Sequence, residues 1–284
     1  MKRIITIQDI SCVGRCSLTV ALPIISAAGV EACILPTAVL STHTAFPEFT
    51  FRDLTDEIQP ISDTLARLGI DFDAIYTGYL GSPEQLALVA DLIDRFRKPG
   101  AEIFIDPVLG DNGSLYKGFT QDFADRMTRL CAKADLILPN MTEAAFMLHE
   151  DYREEYDEDY VRGLLVRLTS LGARRAALTG IGFRDDEIGF YMYDAESGEF
   201  SCYFNEKLPM RCHGTGDIFA SAALGGRMRG LGCTESLALA TDYTLECIRK
   251  TIADPSHRSY GVNFEQALPY YISEIEKRTN SDAH

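Results

Sequence analysis

"DAIYTGYLGSPEQLALVADLIDRFRKPGAEIFIDPVLG", residues 73–110, is the stretch on which the fold turns. DAIYTGYLG reads as a strand. Ser82 then caps a helix, Pro83 fits its first turn, and Gln85 completes a capping-box pattern. Leu86, Val89, Ile93 and Phe96 recur at helical spacing and form its buried stripe. AEIFIDPVLG reads as the next strand. Strands alternating with helices of this length predict a mostly parallel sheet covered on both faces.

The same rhythm extends in both directions. RIITIQDI (residues 3–10), ACILPTAVL (32–40), ADLILPNM (134–141) and RRAALTGIG (174–182) read as further strands. Leu54, Ile58, Ile61, Leu65 and Leu68 lie on one helical face. Residues 188–206, IGFYMYDAESGEFSCYFNE, break the pattern and read as two strands joined by a turn at Ser197–Gly198. Residues 218–228, 235–252 and 264–277 read as closing helices. The expected architecture is α/β and three-layered: a mostly parallel central sheet, helices on both faces and a short peripheral β-hairpin. With no linker, repeat or low-complexity tract, residues 1–284 are expected to form one domain.

Composition narrows the function. A formal charge of −15 argues against non-specific binding to nucleic acid or to a membrane surface. Any anionic ligand must then be held by local geometry or a metal ion. The amino terminus, MKRIITIQDI, lacks a signal-peptide core, and no apolar run approaches a membrane span. The eight cysteines include no CxxC pair, and reduced thiols in a cytoplasmic protein are the expectation.

Open α/β sheets bind ligands at the carboxyl ends of their strands. Asp9, Thr44, Tyr79, Asp106, Asn140 and Thr179 all fall at such ends. In RCHGTGDIFASAALGG, residues 211–226, Gly214 and Gly216 permit tight backbone angles, and the amides of Gly214–Asp217 can point outward as an anion hole at a helix start. Asp217 there is either a cap that complements the helix dipole or an active-site carboxylate, and both readings stay open on these residues alone. Phosphoryl transfer would use both features, because the moving group needs preorganised donors and the acceptor hydroxyl needs a base. In PNMTE, Asn140 and Glu143 have capping-box spacing, and a carboxylate on that first turn can also hold Mg²⁺ through water. Asp106 before Pro107 is a turn former or a second outer-shell metal group, and Thr179–Gly180 a turn or a phosphate contact. No GxxxxGK[ST] loop is present, and no GxGxxG follows the first strand, which leaves a dehydrogenase poorly supported.

Taken together, these pieces resemble the ribokinase-like superfamily and, within it, the pyridoxal kinases, over nearly the whole chain. GTGD (214–217) is shared across that superfamily. STHT (41–44), TGYLGS (77–82), DPVLGDNGSLY (106–116) and PNMTE (139–143) carry the pyridoxal-kinase likeness by their order and spacing. The resemblance implies an ATP-dependent kinase acting on the 5′-hydroxymethyl group of a vitamin B6 vitamer. Asp217 would be the base, with the backbone of Gly214, Thr215 and Gly216 beside it as the anion hole. Asp106 and Glu143 would organise Mg²⁺ through water, with Asn140 and Thr179 also on the nucleotide side. Asp9, His43, Thr44 and Tyr79 would line the pyridine pocket. A monovalent cation and a homodimer belong to the same implication. Asp9 departs from the family, where a serine follows "IQ", and a carboxylate there would favour an amine-bearing ring. Cys212–His213 is read as an unreactive thiol and a loop residue. A hydroxymethylpyrimidine kinase of thiamin synthesis and a non-catalytic vitamer-binding protein are the competing readings.

Overall fold

The structure, a computed structural model, describes residues 1–210 and 213–281. Eleven strands appear in chain order among nine helices in these residues. Strands β1 (Arg3–Val13), β2 (Glu31–Thr42), β3 (Phe51–Asp53), β4 (Ala74–Thr77), β5 (Glu102–Ile105), β8 (Leu136–Ile137), β9 (Arg175–Ile181), β10 (Glu187–Asp194) and β11 (Glu199–Glu206) make one sheet. Its order is β11-β10-β9-β8-β5-β4-β1-β2-β3. The central run from β9 to β2 is parallel, and β3, β10 and β11 are antiparallel. The expected hairpin is therefore the edge of the main sheet. A separate two-stranded ribbon, β6 (Gly110–Asp111) with β7 (Ser114–Leu115), turns at Asn112 and Gly113, both at positive φ.

Helices α2 (Thr55–Arg67), α3 (Pro83–Phe96), α4 (Gln121–Cys131), α5 (Met141–Met147) and α6 (Glu158–Ser170) cover one face. Helices α1 (Leu18–Ala27), α7 (Thr215–Met228), α8 (Cys233–Ala253) and α9 (Phe264–Ser281) cover the other. Leu86, Val89, Ile93 and Phe96 of α3 are buried as the periodicity predicts. Ser82 Oγ accepts from the Gln85 amide at 3.1 Å, but Gln85 Oε1 accepts from the Gly81 amide rather than that of Ser82, so the box is shifted by one residue. The amide of Gln85's side chain continues to the Thr37 carbonyl and Thr55 hydroxyl, tying α3 to β2 and α2. Among the described residues no helix is long and apolar enough to cross a membrane.

The strand order reverses direction beside β1, whose neighbours are β2 and β4. Loops leaving β1 and β4 must diverge there, and their separation opens a crevice at the carboxyl end of the sheet.

Candidate active site

The loop after β1, Gly14–Ser17, meets the start of α7 at this end. Gly214 caps α7 with φ 79°, and a Cβ built on it would lie 2.0 Å from the Arg15 carbonyl oxygen. The two loops therefore touch backbone to backbone. The first helical bond of α7 runs from the Ile218 amide to Gly214 O, 3.1 Å. The amides of Thr215, Gly216 and Asp217 precede that bond and have no intrahelical acceptor, which gives the outward-facing donors of an anion site.

Asp217 stands on this first turn. Its Oδ2 accepts from the Ser17 amide at 2.9 Å. Burial pushes its acid up to about 6, against the pull of that amide. Ser17 also donates its hydroxyl to Asp9 Oδ1 at 2.6 Å, and Ser11 donates to Asp9 Oδ2 at 3.2 Å. Ser17 thus links the two carboxylates. It does so from φ 51°, a conformation unusual for a residue with a side chain. Asp9 itself is buried, next to a register shift between Gln8 and Ile10 on β1, and burial raises its acid.

Asp106 follows β5 directly and is buried. Its amide donates to the Thr77 carbonyl. A Cβ built on Gly216 would find Asp106 Oδ2 at 3.9 Å, so α7 and the β5 loop are neighbours. Burial first, then the charges of Glu143 and Asp217, push Asp106 well above the usual carboxylate range. Glu143 completes a capping box on α5. Its Oε2 accepts from the Asn140 amide, the Asn140 side chain accepts from the Glu143 amide, and its Oε1 accepts from Leu109 N, each at 2.9–3.0 Å. Asn140 Nδ2 donates to the Gly110 carbonyl and anchors the small ribbon. Burial raises Glu143 to about 7 despite those amides.

The pocket side is built by aromatic groups. His43 is buried, with Nδ1 accepting from the Ala45 amide at 3.1 Å and Nε2 2.9 Å from the Tyr260 carbonyl. Those partners make Nε2 the donor and Nδ1 the acceptor. Phe46, Tyr260 and the exposed His213 surround its ring. Tyr79 is half-buried and stacks on Phe119 with centroids 5.7 Å apart. Burial, with the charge of Asp9 behind it, raises its hydroxyl.

Asp9, Asp106, Glu143 and Asp217 are thus brought together electrostatically. His43 and Tyr79 flank Asp9. Thr44 is exposed beside His43. Thr179 sits inside β9, two strands from Asp106, and both its amide and hydroxyl face the Pro139 carbonyl. Cys212 lies outside the described residues. Sequence reading missed Ser11, Ser17 and Arg15. Arg15 reaches across to Asn263 Oδ1 at 2.6 Å and to Glu265, and so pins the Gly14–Ser17 loop to the start of α9. Gly14 at the end of β1 was the available signal. Its φ is 149°, and a Cβ there would sit 2.7 Å from the His43 ring.

The chain is similar to several known proteins. The family model described as Phosphomethylpyrimidine kinase matches residues 22–261. A crystal structure from Bacteroides thetaiotaomicron, of a protein carrying the phosphomethylpyrimidine kinase name and in a form with pyridoxal, is 39% identical with a TM-score of 0.91, covering 95% of each chain. The pyridoxal kinase of Lactobacillus plantarum is 30% identical with a TM-score of 0.90, covering 98% of this chain and 99% of that one. The curated pyridoxal kinase of Dictyostelium discoideum is 24% identical over 278 residues, 90% of each chain.

Proposed function

The chain belongs to the phosphomethylpyrimidine kinase family and is a phosphotransferase of the pyridoxal kinase type, acting on an alcohol group; within that frame we propose that Asp217 is the base that activates the 5′-hydroxymethyl group of a B6 vitamer toward ATP. One observation carries the proposal. The Asp217 carboxylate is fixed by the Ser17 amide in the same helical turn that presents the free amides of Thr215, Gly216 and Asp217. A proton acceptor and an oxyanion-type donor set thus share one rigid mount, as in-line phosphoryl transfer requires. Asp217 takes the alcohol proton as that oxygen attacks the γ-phosphorus, the bond from the γ-phosphorus to the β,γ-bridging oxygen breaks, ADP leaves, and the amides stabilise the charge on the moving group.

Mg²⁺ fits the residues on the nucleotide side. Asp106 and Glu143 are two buried carboxylates, the charge of Glu143 adds to the cost of ionising Asp106, and among the described residues neither has a cationic partner. Both Glu143 oxygens accept from backbone amides, so Glu143 contributes negative charge through water while Asp106 has the freer carboxylate. Two carboxylates completed by water and phosphate oxygens is the donor set Mg²⁺ prefers. When bound, the ion neutralises charge on the β- and γ-phosphates. Thr179 lies toward the phosphates and Asn140 holds the Glu143 turn in place.

Asp9, His43, Thr44 and Tyr79 line the ring pocket in this reading. A second reading, hydroxymethylpyrimidine as acceptor, draws on the Asp9 carboxylate, which pairs well with an exocyclic amine. Exposed Phe49 and Phe51 at the β3 edge support a homodimer as the working assembly. The test is an ATP-turnover screen over pyridoxal, pyridoxine, pyridoxamine and hydroxymethylpyrimidine. Turnover of at least one B6 vitamer is expected, and turnover of the pyrimidine alone would reverse the order of the two readings.

A further inference from the structure

The segment joining α8 to α9 ends in a stretch that lies inside the protein. Connecting segments ordinarily run over the surface, because a buried one leaves backbone polar groups to satisfy. Gly261, Val262 and Asn263 are nevertheless buried, and Val262 belongs to the core under α1, α7, α8 and α9.

The polar groups of this stretch turn to the two loops that leave β1 and β2. The Tyr260 carbonyl faces His43 Nε2 at 2.9 Å, and the Gly261 carbonyl faces the Arg15 guanidinium at 3.5 Å. Asn263 Oδ1 accepts from the same guanidinium at 2.6 Å. Asn263 is itself moored to the end of α8: its backbone amide donates to Thr251 Oγ1 at 2.8 Å, and Nδ2 donates to Asp254 Oδ2 at 2.9 Å. The Tyr260 ring packs against Phe46, with Arg15 6.0 Å from its centroid.

The two loops part where this stretch meets them. β1 and β2 pair in parallel as far as Val13 and Thr42, and the His43 amide adds a bond to the Val13 carbonyl at 3.3 Å. From there one branch leads through Arg15 to Ser17, whose amide holds Asp217, and the other leads through His43 to Phe46. Residues 260–263 bond to both branches. Gly261 shows how close the fit is, since a Cβ there would lie 2.5 Å from Arg15 Cβ. Its φ is not positive, so the approach of the Arg15 stem, rather than the backbone angle, requires glycine.

We propose that residues 260–263 are a spacer that sets the distance between the ring pocket and the base, with Arg15 and Asn263 as its positioning residues. One end holds His43 in the pocket wall. The other holds the loop that presents the Ser17 amide to Asp217. The acceptor hydroxyl therefore meets the base at a separation fixed by a part of the chain remote from both in sequence. This role rests on the assignments of Asp217 as base and of His43 to the pocket.

Two substitutions test the spacer by different means. Arg15→Met removes the guanidinium bonds and keeps an apolar stem, whereas Gly261→Ala keeps every hydrogen-bonding group and pushes the Arg15 stem away. Each is expected to lower kcat about five- to fiftyfold with KM for ATP unchanged, because positioning of the reacting atoms is lost and nucleotide binding is not. Hydrogen exchange of the Ser17 amide supplies a readout independent of activity. It should quicken about tenfold in Arg15→Met while the Ile5 and Ile7 amides of β1 keep their wild-type protection, whereas general loosening would move all three together. Should Arg15→Met not fold, Arg15→Lys, which retains the charge but not the fork, carries the test with the same two readouts. Wild-type kcat in either the Arg15 or the Gly261 variant overturns the spacer, and so does Ser17 exchange that is unchanged or rises only in step with the strand. Asp217→Asn separates the two levels. If it turns over like wild type, the base assignment fails and the spacer role fails with it. If it is inactive while the Arg15 and Gly261 variants keep full kcat, the present inference alone fails.

Discussion

Replacing Gly214 with alanine strikes the joint on which the site depends. The residue sits at φ 79°, where a side chain costs roughly 1–2 kcal/mol. The added Cβ would lie 2.0 Å from the Arg15 carbonyl oxygen, far inside contact distance, and that oxygen is backbone. Arg15 cannot withdraw freely, because its guanidinium is held by Asn263 and Glu265 and Gly14 next to it is wedged against His43. Overpacking of this kind adds about 1–3 kcal/mol. The total is about 2–5 kcal/mol. Unfolding entropy of about 2.1 cal/mol/K per residue gives roughly 0.6 kcal/mol per degree for 284 residues, hence a fall in Tm of about 3–8 °C. Relief of the clash shifts the Gly14–Ser17 loop, and with it the Ser17 amide that fixes Asp217. A displacement near 1 Å lowers kcat on the order of 100-fold. Thermal melting and steady-state kinetics read the two effects. Gly216→Ala is the control, since its Cβ would meet nothing nearer than Asp106 Oδ2 at 3.9 Å, and its Tm should stay within about 1 °C of wild type. A Gly214→Ala protein with wild-type Tm and kcat would refute the reasoning about this joint.

Two further outcomes are expected. Glu143 and Asp217 have folded-state acids near 7 and 6 against ordinary values of 4.5 and 3.8, so the folded state binds the extra protons between those limits. Stability of the ligand-free protein should therefore fall as pH rises from about 5 to 8. Glu143→Gln should flatten the upper part of that slope, and a Tm that climbs over this range contradicts the assignment. Asp9 is a buried carboxylate among serine hydroxyls, with no cationic side chain bonded to it among the described residues. We expect Asp9→Ser to lower kcat/KM for pyridoxamine relative to pyridoxine by about 10- to 150-fold, the worth of one charge-assisted hydrogen bond of about 1.5–3 kcal/mol; an unchanged order of the three vitamers disproves that role.

Much of the fold was legible because its strands are short apolar runs separated by well-signalled helices. Lengths were less so. DAIYTGYLG suggested a long strand, yet β4 stops at Thr77, where Gly78 lies so close to Gln8 that a Cβ would fall 2.7 Å from its side chain. The Gly110–Leu115 ribbon was not read: Asn112-Gly113 is a turn with positive φ at both central residues, but two-residue strands leave no periodicity to flag it. In the site, the residues legible from sequence were those whose side chains carry charge at strand ends. Ser17 was hidden because its main contribution is a backbone amide, presented from a conformation that serine rarely adopts. Thr179 was placed at a strand end, whereas β9 continues past it to Ile181.

The central claim is that Asp217 accepts the alcohol proton while neighbouring amides hold the moving phosphoryl group. It is tested most directly by single-turnover transfer from ATP to a B6 vitamer in Asp217→Asn, with vitamer binding measured in parallel. The account predicts a transfer rate lower by about 10²- to 10⁴-fold with binding retained. Transfer at the wild-type rate would contradict it.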